Sequence, residues 1–210
     1  MAHPVAVKRV WIAIVVFCVA LAGVIGWQVV QPGDQPVYEG KTLTSWLTGV
    51  TEGGTAGYMK AEEAVRQVGT NAIPTLLRLL WASDSALKVK VVGLLERQHV
   101  VKLGFTSAET WNIAGRLGFK MLGTNAASAV PALIQIARQG TSPFSQASAI
   151  ESLGAIGPAA KEAVSYLITL ATNQSSGLDF SASWAVVQID PEAAARARIR
   201  VDNDLLRGIP

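Results

Sequence analysis

Apolar and polar residues alternate along this chain with the period of a helix from about residue 43 onward. The first stripe has apolar side chains at i, i+3, i+4 and i+7, and consists of Leu43, Trp46, Leu47 and Val50. Three longer stretches follow the same period: "AEEAVRQVGTNAIPTLLRLL" from Ala61, "GRLGFKMLGTNAASAVPALIQIA" from Gly115 and "AIESLGAIGPAAKEAVSYLITLA" from Ala149. No convincing strand-like alternation is found in the sequence. The pattern therefore predicts an all-α fold.

The three stretches are versions of one unit: a helix, a stop, a short turn and a second helix. A fourth stretch, "ASWAVVQIDPEAAARA" from Ala182, matches in its first part. The stops are Gly69, Gly123, Gly157 and Asp190, and we expect Gly157 to end its helix at positive φ. One helical hairpin cannot bury both of its faces, whereas stacked hairpins can. The repeats therefore predict an α-solenoid.

This repeat resembles that of HEAT-repeat proteins. "ESLGAIGPAAKEAVSYLITLA" carries their Leu-Gly-x-Ile-Gly-Pro turn and following helix, and "GTNAASAVPALIQIA" is similarly close. "VYEGKTLTSWL" and "GTNAIPTLLRLL" look like segments of bacterial membrane-anchored HEAT-repeat proteins. The resemblance covers about residues 38–195, and it implies a solenoid of HEAT-like hairpins but no known reaction.

The sequence departs from the HEAT pattern in two ways. Residues 81–114 are longer than a usual connection between repeats, and we expect there an extra helix from Ser85 to about Gln98, then a helix starting at Thr106. The second departure is that Ser145 and Ser181 stand near positions where HEAT repeats commonly have arginine.

A long uncharged segment, residues 10–30, precedes the repeats. As a helix it would measure about 30 Å, the thickness of a bilayer core, and Lys8 and Arg9 before it favour a cytoplasmic N-terminus. We therefore predict a cytoplasmic tail at 1–9, a transmembrane signal-anchor helix at 10–30, a linker at 31–37 and an extracytoplasmic solenoid domain at 38–210. A signal peptide cleaved after Ala22 is the alternative.

Composition limits the chemistry. The chain has 18 bases and 15 acids, a net charge of +3, and two of the bases precede the predicted span, so the domain has no field suited to nucleic acid. The single cysteine, Cys18, lies within that span. Outside the tail there is one histidine, His99, so we expect no metal site and no cofactor.

Gly40-Lys41-Thr42 ends like a phosphate-binding loop but lacks its first half. Gln35 stands where the first glycine would be, and no predicted strand precedes it. We therefore expect no nucleotide. Thr42 is predicted instead to cap the following helix, with Tyr38 and Trp46 packing over the start of the solenoid.

These observations predict a non-enzymatic role with no catalytic residues. The favoured hypothesis is a membrane-tethered HEAT-repeat scaffold, on the outer side of the cytoplasmic membrane, whose stacked second helices bind a protein partner. Candidate protein-binding residues are Trp81, Arg66 and Arg78. One alternative is an enzyme or maturation factor of the HEAT-like lyase type, because some HEAT-like proteins are lyases. The other alternative is a self-associating structural spacer in the envelope.

Overall fold

The structure, a computed structural model, describes residues 35–84 and 106–199. Most of these residues are helical, and the helices make extensive contacts with one another, which confirms the all-α class. The described residues belong to one compact unit. The description below follows the chain from its first described element.

The first element is a short β-hairpin, which the sequence did not predict. Strand β1, Val37–Tyr38, pairs antiparallel with β2, Lys41–Thr42. Gly40 has a φ of +75° at the turn, a conformation that glycine adopts without strain. Helix α1 then runs over Leu43–Thr48, and the Thr42 hydroxyl accepts a hydrogen bond from its first turn. This confirms Thr42 as the helix cap.

The remaining helices form hairpins in chain order, with a 3₁₀ segment inside each of the first three. The first hairpin is α2, Val50–Val68, then Gly69–Ala72, then α3, Ile73–Leu80. The second is α4, Ala108–Leu122, then Gly123–Ala129, then α5, Val130–Gln139. The third is α6, Pro143–Ile156, then Gly157–Ala163, then α7, Val164–Ala171. After a 3₁₀ turn at Gln174–Ser176 come α8, Asp179–Ile189, and α9, Pro191–Arg196.

The predicted stops lie where these helices end. Gly69, Gly123 and Gly157 have φ values of +60°, +53° and +72°, so the predicted position and conformation of Gly157 are confirmed. Asp190, the fourth predicted stop, does not have a positive φ. Its φ is −147°, and its carboxylate caps α9 by accepting a hydrogen bond from the Ala193 N–H at 2.9 Å.

Each first helix packs on the first helix of the next hairpin. Helix α4 contacts α2 and α6, and α6 contacts α8. Each second helix packs against the first helix that follows it, as α3 does on α4, α5 on α6 and α7 on α8. The interior is mostly aliphatic, with one fully buried phenylalanine, Phe119, among side chains such as Leu76, Leu133, Ile150, Leu153 and Leu167.

Small residues allow the first helices to lie this close. A Cβ added to Gly154 of α6 would lie 2.4 Å from the Trp184 ring of α8, closer than side chains approach one another. Small residues also recur three positions apart on the first helices, and all eight are buried: Ala61, Ala64, Gly115, Gly118, Ala149, Ser152, Ala182 and Ala185. Two of them, Gly115 and Gly118 of α4, face the preceding second helix, because an added Cβ would lie 3.0 Å from the Leu76 carbonyl oxygen or 2.3 Å from the Leu76 side chain of α3. Small residues therefore allow the first helices to pack closely on second helices as well as on each other.

The glycine-rich sequence "TEGGTAG", residues 51–57, predicts a break in the helical pattern, and the backbone of α2 does leave helical geometry there, at Gly54, where φ is +54° and ψ is −145°. The predicted start of α4 needs correction. Helix α4 starts at Ala108, not at Thr106. Its cap is Ser107, whose hydroxyl accepts a hydrogen bond from the Thr110 N–H at 3.2 Å. The expected extra helix from Ser85 to Gln98 and His99 lie outside the described residues.

The predicted cellular location is also corrected. Within residues 35–84 and 106–199, no helix has both the length and the apolar character needed to cross a membrane, which contradicts the single-pass inner-membrane prediction. The segment on which that prediction rested, 10–30, lies outside the described residues, as do Cys18 and the tail at 1–9.

Candidate protein-binding face

Helices α3, α5 and α7, the second helices of the first three hairpins, repeat one arrangement of aliphatic side chains. The fourth residue of each helix is a fully buried leucine: Leu76, Leu133 and Leu167. The fifth residue packs against the same core but remains partly exposed: Leu77, Ile134 and Ile168. Each second helix therefore presents an aliphatic side chain to solvent at the same position. We call the exposed side of these three helices the second-helix face.

The charged side chains of the helices that form this face are all positive. Between them, α3, α5 and α7 contain two arginines, Arg78 and Arg138, and no acidic residue. The first helices α2, α4, α6 and α8 differ, because every one of them carries at least one carboxylate among Glu62, Glu63, Glu109, Glu151 and Asp179. The two layers of helices thus have different electrostatic character.

Arg138 is fixed in place by the next second helix. Its guanidinium carbon lies 4.7 Å from the centroid of the Tyr166 ring, within the range of a cation–π contact. The Tyr166 hydroxyl donates a hydrogen bond to the Ala137 carbonyl at 3.0 Å. Burial raises the pKa of this hydroxyl, and the positive charge of Arg138 partly opposes the rise. Tyr166 therefore links α7 to the C-terminal end of α5 as a neutral phenol.

Arg78 is available for an external contact. It is partly exposed on α3, and within residues 35–84 and 106–199 it has neither a hydrogen-bond partner nor an ion-pair partner. Trp81 follows it at the end of the same helix, with 36% of its surface exposed. Two of the three residues predicted from the sequence to bind a partner therefore lie three positions apart at the C-terminal end of α3.

The end of α3 is held by a side chain from α4. Asn112 is fully buried, and its amide nitrogen lies 2.8, 3.1 and 3.3 Å from the carbonyl oxygens of Leu79, Leu80 and Ala82. Ser145 of α6 donates a further hydrogen bond to Leu80. These contacts satisfy carbonyls that a helix end leaves unpaired, and they fix the backbone on both sides of Trp81.

Arg66, the third predicted residue, lies in the other layer. It is exposed on α2 and pairs with Glu62 one turn earlier, with 3.2 Å between nitrogen and oxygen. The structure thus separates Arg66 from Arg78 and Trp81 by placing it on a first helix. Nothing in the structure tests whether any of the three contacts a partner, and their role stays a prediction.

The first helices are connected by a polar chain that the sequence did not reveal. Arg116 of α4 donates a hydrogen bond to one carboxylate oxygen of Glu151 on α6. Ser181 of α8 donates to the other oxygen at 3.0 Å. We call these residues the Arg116–Glu151–Ser181 bridge. Ser181, which stands near a position usual for arginine in HEAT repeats, takes part in this contact between neighbouring hairpins.

A shallow depression lies between α7 and α9. Its volume is about 490 Å³, and its lining includes Lys161, Ser165, Ile168, Asp190 and Arg196. The Asp190 carboxylate accepts the Ala193 hydrogen bond, which lowers its pKa, and it also lies 3.8 Å from the Lys161 amine. This carboxylate is therefore engaged in capping α9.

The Gly40-Lys41-Thr42 stretch is used by the local fold. Lys41 lies over the Trp46 ring, 4.7 Å from its centroid, and the Trp46 indole donates to the Tyr38 carbonyl at 3.0 Å. The predicted packing of Tyr38 with Trp46 is thereby confirmed. In the part of the chain that the structure describes, no cluster of three or more histidine, cysteine or acidic side chains is placed to hold a metal ion.

Comparison with known proteins gives no further assignment. No protein-family model, no curated protein and no solved structure matches this chain.

Proposed function

We propose that this chain is a protein-interaction module of HEAT-like helical hairpins that binds a partner along the second-helix face. The proposal is supported by the order of the contacts, because each hairpin packs mainly on the hairpins next to it in the chain. Solenoids built in this way present one elongated surface made from equivalent helices. A partner segment that follows that surface meets the same side-chain pattern at every hairpin.

One observation carries the proposal. At two consecutive positions of α3, α5 and α7, a fully buried leucine is followed by a partly exposed aliphatic residue. The buried leucines hold the helices, whereas the exposed neighbours, Leu77, Ile134 and Ile168, have apolar surface left to bury. Trp81 and Arg78 lie beside the first of them, and tryptophan and arginine are the side chains most often dominant in protein interfaces.

The proposal is tested by photo-crosslinking in cells of the source organism. A benzophenone amino acid replaces Gln135, which is exposed on α5, or Lys120, which is exposed on α4. We expect a discrete adduct from position 135 and none from position 120. The adduct from position 135 should be lost when Ile134→Asp is added, because a carboxylate there opposes apolar contact.

Each other result has a defined meaning. Equal adducts from both positions, or an adduct that persists with Ile134→Asp, would contradict binding by the second-helix face. An adduct of twice the chain's mass would identify the partner as a second copy, as the self-associating alternative requires. Circular dichroism of the Ile134→Asp variant serves as the control, because its helix content must equal that of the parent chain.

A further inference from the structure

The charges on the second-helix face indicate which kind of partner segment it would bind. Its two arginines lie on successive second helices, Arg78 on α3 and Arg138 on α5, and no carboxylate on α3, α5 or α7 neutralises them. The two arginines of the first helices, Arg66 and Arg116, both pair with carboxylates. The unneutralised arginines therefore belong to the same face as the exposed aliphatic positions.

Both arginines can accept a carboxylate without losing an existing ion pair. Arg78 has no such pair within the described ranges. Arg138 has no ion pair within the same ranges, and its guanidinium carbon lies 4.7 Å from the centroid of the Tyr166 ring. A guanidinium has five N–H donors, and carboxylates match its fork geometry with two parallel hydrogen bonds.

The pattern favours a peptide over a nucleic acid. A protein that binds the phosphate backbone of a nucleic acid with high affinity can neutralise about six to ten phosphates with lysine and arginine. The second-helix face has two arginines, set next to the aliphatic residues Leu77, Ile134 and Ile168. Such a face complements a chain that itself mixes carboxylates with apolar side chains.

We propose that the partner segment is an acidic, amphipathic peptide, whose carboxylates pair with Arg78 and Arg138 while its apolar side chains cover the aliphatic positions of the second-helix face. This inference rests on the proposed function, since it concerns the same face. The inference adds that the partner segment is negatively charged and that Arg78 and Arg138 bind its carboxylates.

Fluorescence anisotropy tests the charge preference with the full 210-residue chain. The probes are three labelled 18-residue peptides with leucines at identical positions and glutamate, glutamine or lysine at the others. We expect the glutamate peptide to bind about five- to tenfold more tightly than the glutamine peptide at low salt, which is the effect of two exposed ion pairs. The lysine peptide should bind most weakly. The advantage of glutamate should shrink as salt is added.

Matched double variants assign that preference to residues. Arg78→Gln with Arg138→Gln should lower the affinity for the glutamate peptide to about that for the glutamine peptide. Lys60→Gln with Lys120→Gln removes the same charge from exposed positions of the first helices and should leave the difference between the two peptides as it is. Equal effects of the two double variants would overturn the inference, because the preference would then come from net charge alone.

Failure of the inference can be distinguished from failure of the proposed function. If glutamate and glutamine peptides bind equally, and Ile134→Asp weakens both, the acidic preference is wrong while the binding face stands. If no peptide binds, the acidic partner is excluded, and crosslinking at position 135 then decides the proposed function separately. Displacement of the glutamate peptide by an 18-nucleotide oligo(U) of higher affinity would assign the face to nucleic acid and overturn the inference.

Discussion

The two layers of this helical protein use their arginines in different ways. In the first helices, Arg66 pairs with Glu62, and Arg116 pairs with Glu151 in the Arg116–Glu151–Ser181 bridge that connects α4, α6 and α8. In the second helices, Arg78 and Arg138 have no carboxylate on α3, α5 or α7 to pair with. Polar contacts thus connect neighbouring hairpins through the first helices, and this difference between the layers is why we propose the second helices as the binding surface.

The largest expected effect contrasts two adjacent residues of α5. Leu133→Ala should lower the free energy of unfolding by about 2–5 kcal/mol, because truncation of a fully buried leucine loses transfer energy and leaves a cavity. Ile134→Ala should cost clearly less, since Ile134 is partly exposed, but it should weaken partner binding. Urea denaturation measures both variants. Equal destabilisation would show that Ile134 belongs to the core and not to a binding surface.

A second prediction concerns the close packing of the first helices. Gly154→Ala should destabilise the protein by about 1–3 kcal/mol, because its methyl group would meet the Trp184 ring and the backbone of Ala185. Gly53→Ala is the matched control. It lies in helix α2 with no atom within 4 Å of the added methyl group, so it should be neutral or slightly stabilising. Thermal unfolding of the pair would contradict this account if both changes lowered the midpoint equally.

The hydrogen bonds that Asn112 donates at the C-terminal end of α3 give a third prediction. Asn112→Ala should cost about 1–3 kcal/mol, because it removes the hydrogen bonds donated to the Leu79, Leu80 and Ala82 carbonyls, of which Leu79 keeps the Ala82 N–H and Leu80 the Ser145 hydroxyl as donors. Hydrogen exchange should show the loss of protection first at the C-terminal end of α3, next to Trp81. Asn71→Ala, at an exposed position, is the control and should leave that protection unchanged. Uniform loss over all helices would mean that Asn112 does not act locally.

The smallest effects compare single charges of the two layers. Glu151→Gln should cost no more than about 1 kcal/mol, because the ion pair with Arg116 is partly exposed to solvent. This loss should be smaller in high salt, which already screens the pair. Arg78→Gln should leave the free energy of unfolding unchanged at any salt concentration. A stability loss from Arg78→Gln larger than that from Glu151→Gln would reverse the assignment of the two layers.

Local sequence pattern predicted the parts of the fold that depend on neighbours along the chain. The helical class and the glycine stop at Gly157 follow from periodicity and from backbone sterics. The sequence predicts the start of α4 at Thr106, one residue before the observed cap Ser107, because both residues have hydroxyls that can serve as a cap. Likewise, two residues per strand are too few to give a recognisable alternation at Val37–Thr42.

The site was harder to predict because it depends on which helices lie together. Arg66, Arg78 and Trp81 are close in sequence, yet a turn between α2 and α3 places Arg66 in the other layer. Glu151 joins residues 35 and 30 positions away in the chain, and such pairs become visible only when the hairpins are stacked. The different pairing of the arginines in the two layers is therefore visible only in the structure, although each arginine is visible in the sequence.

The most direct test of binding by the second-helix face is hydroxyl-radical footprinting of the full chain, with and without the 18-residue glutamate peptide. Both layers have partly exposed aliphatic residues that report on contact: Leu77, Ile134 and Ile168 on the second helices, and Ile113, Leu117 and Met121 on α4. We predict that the peptide lowers oxidation of the first set and leaves the second set unchanged. Protection of the α4 residues, with Leu77, Ile134 and Ile168 still oxidised, would contradict the account.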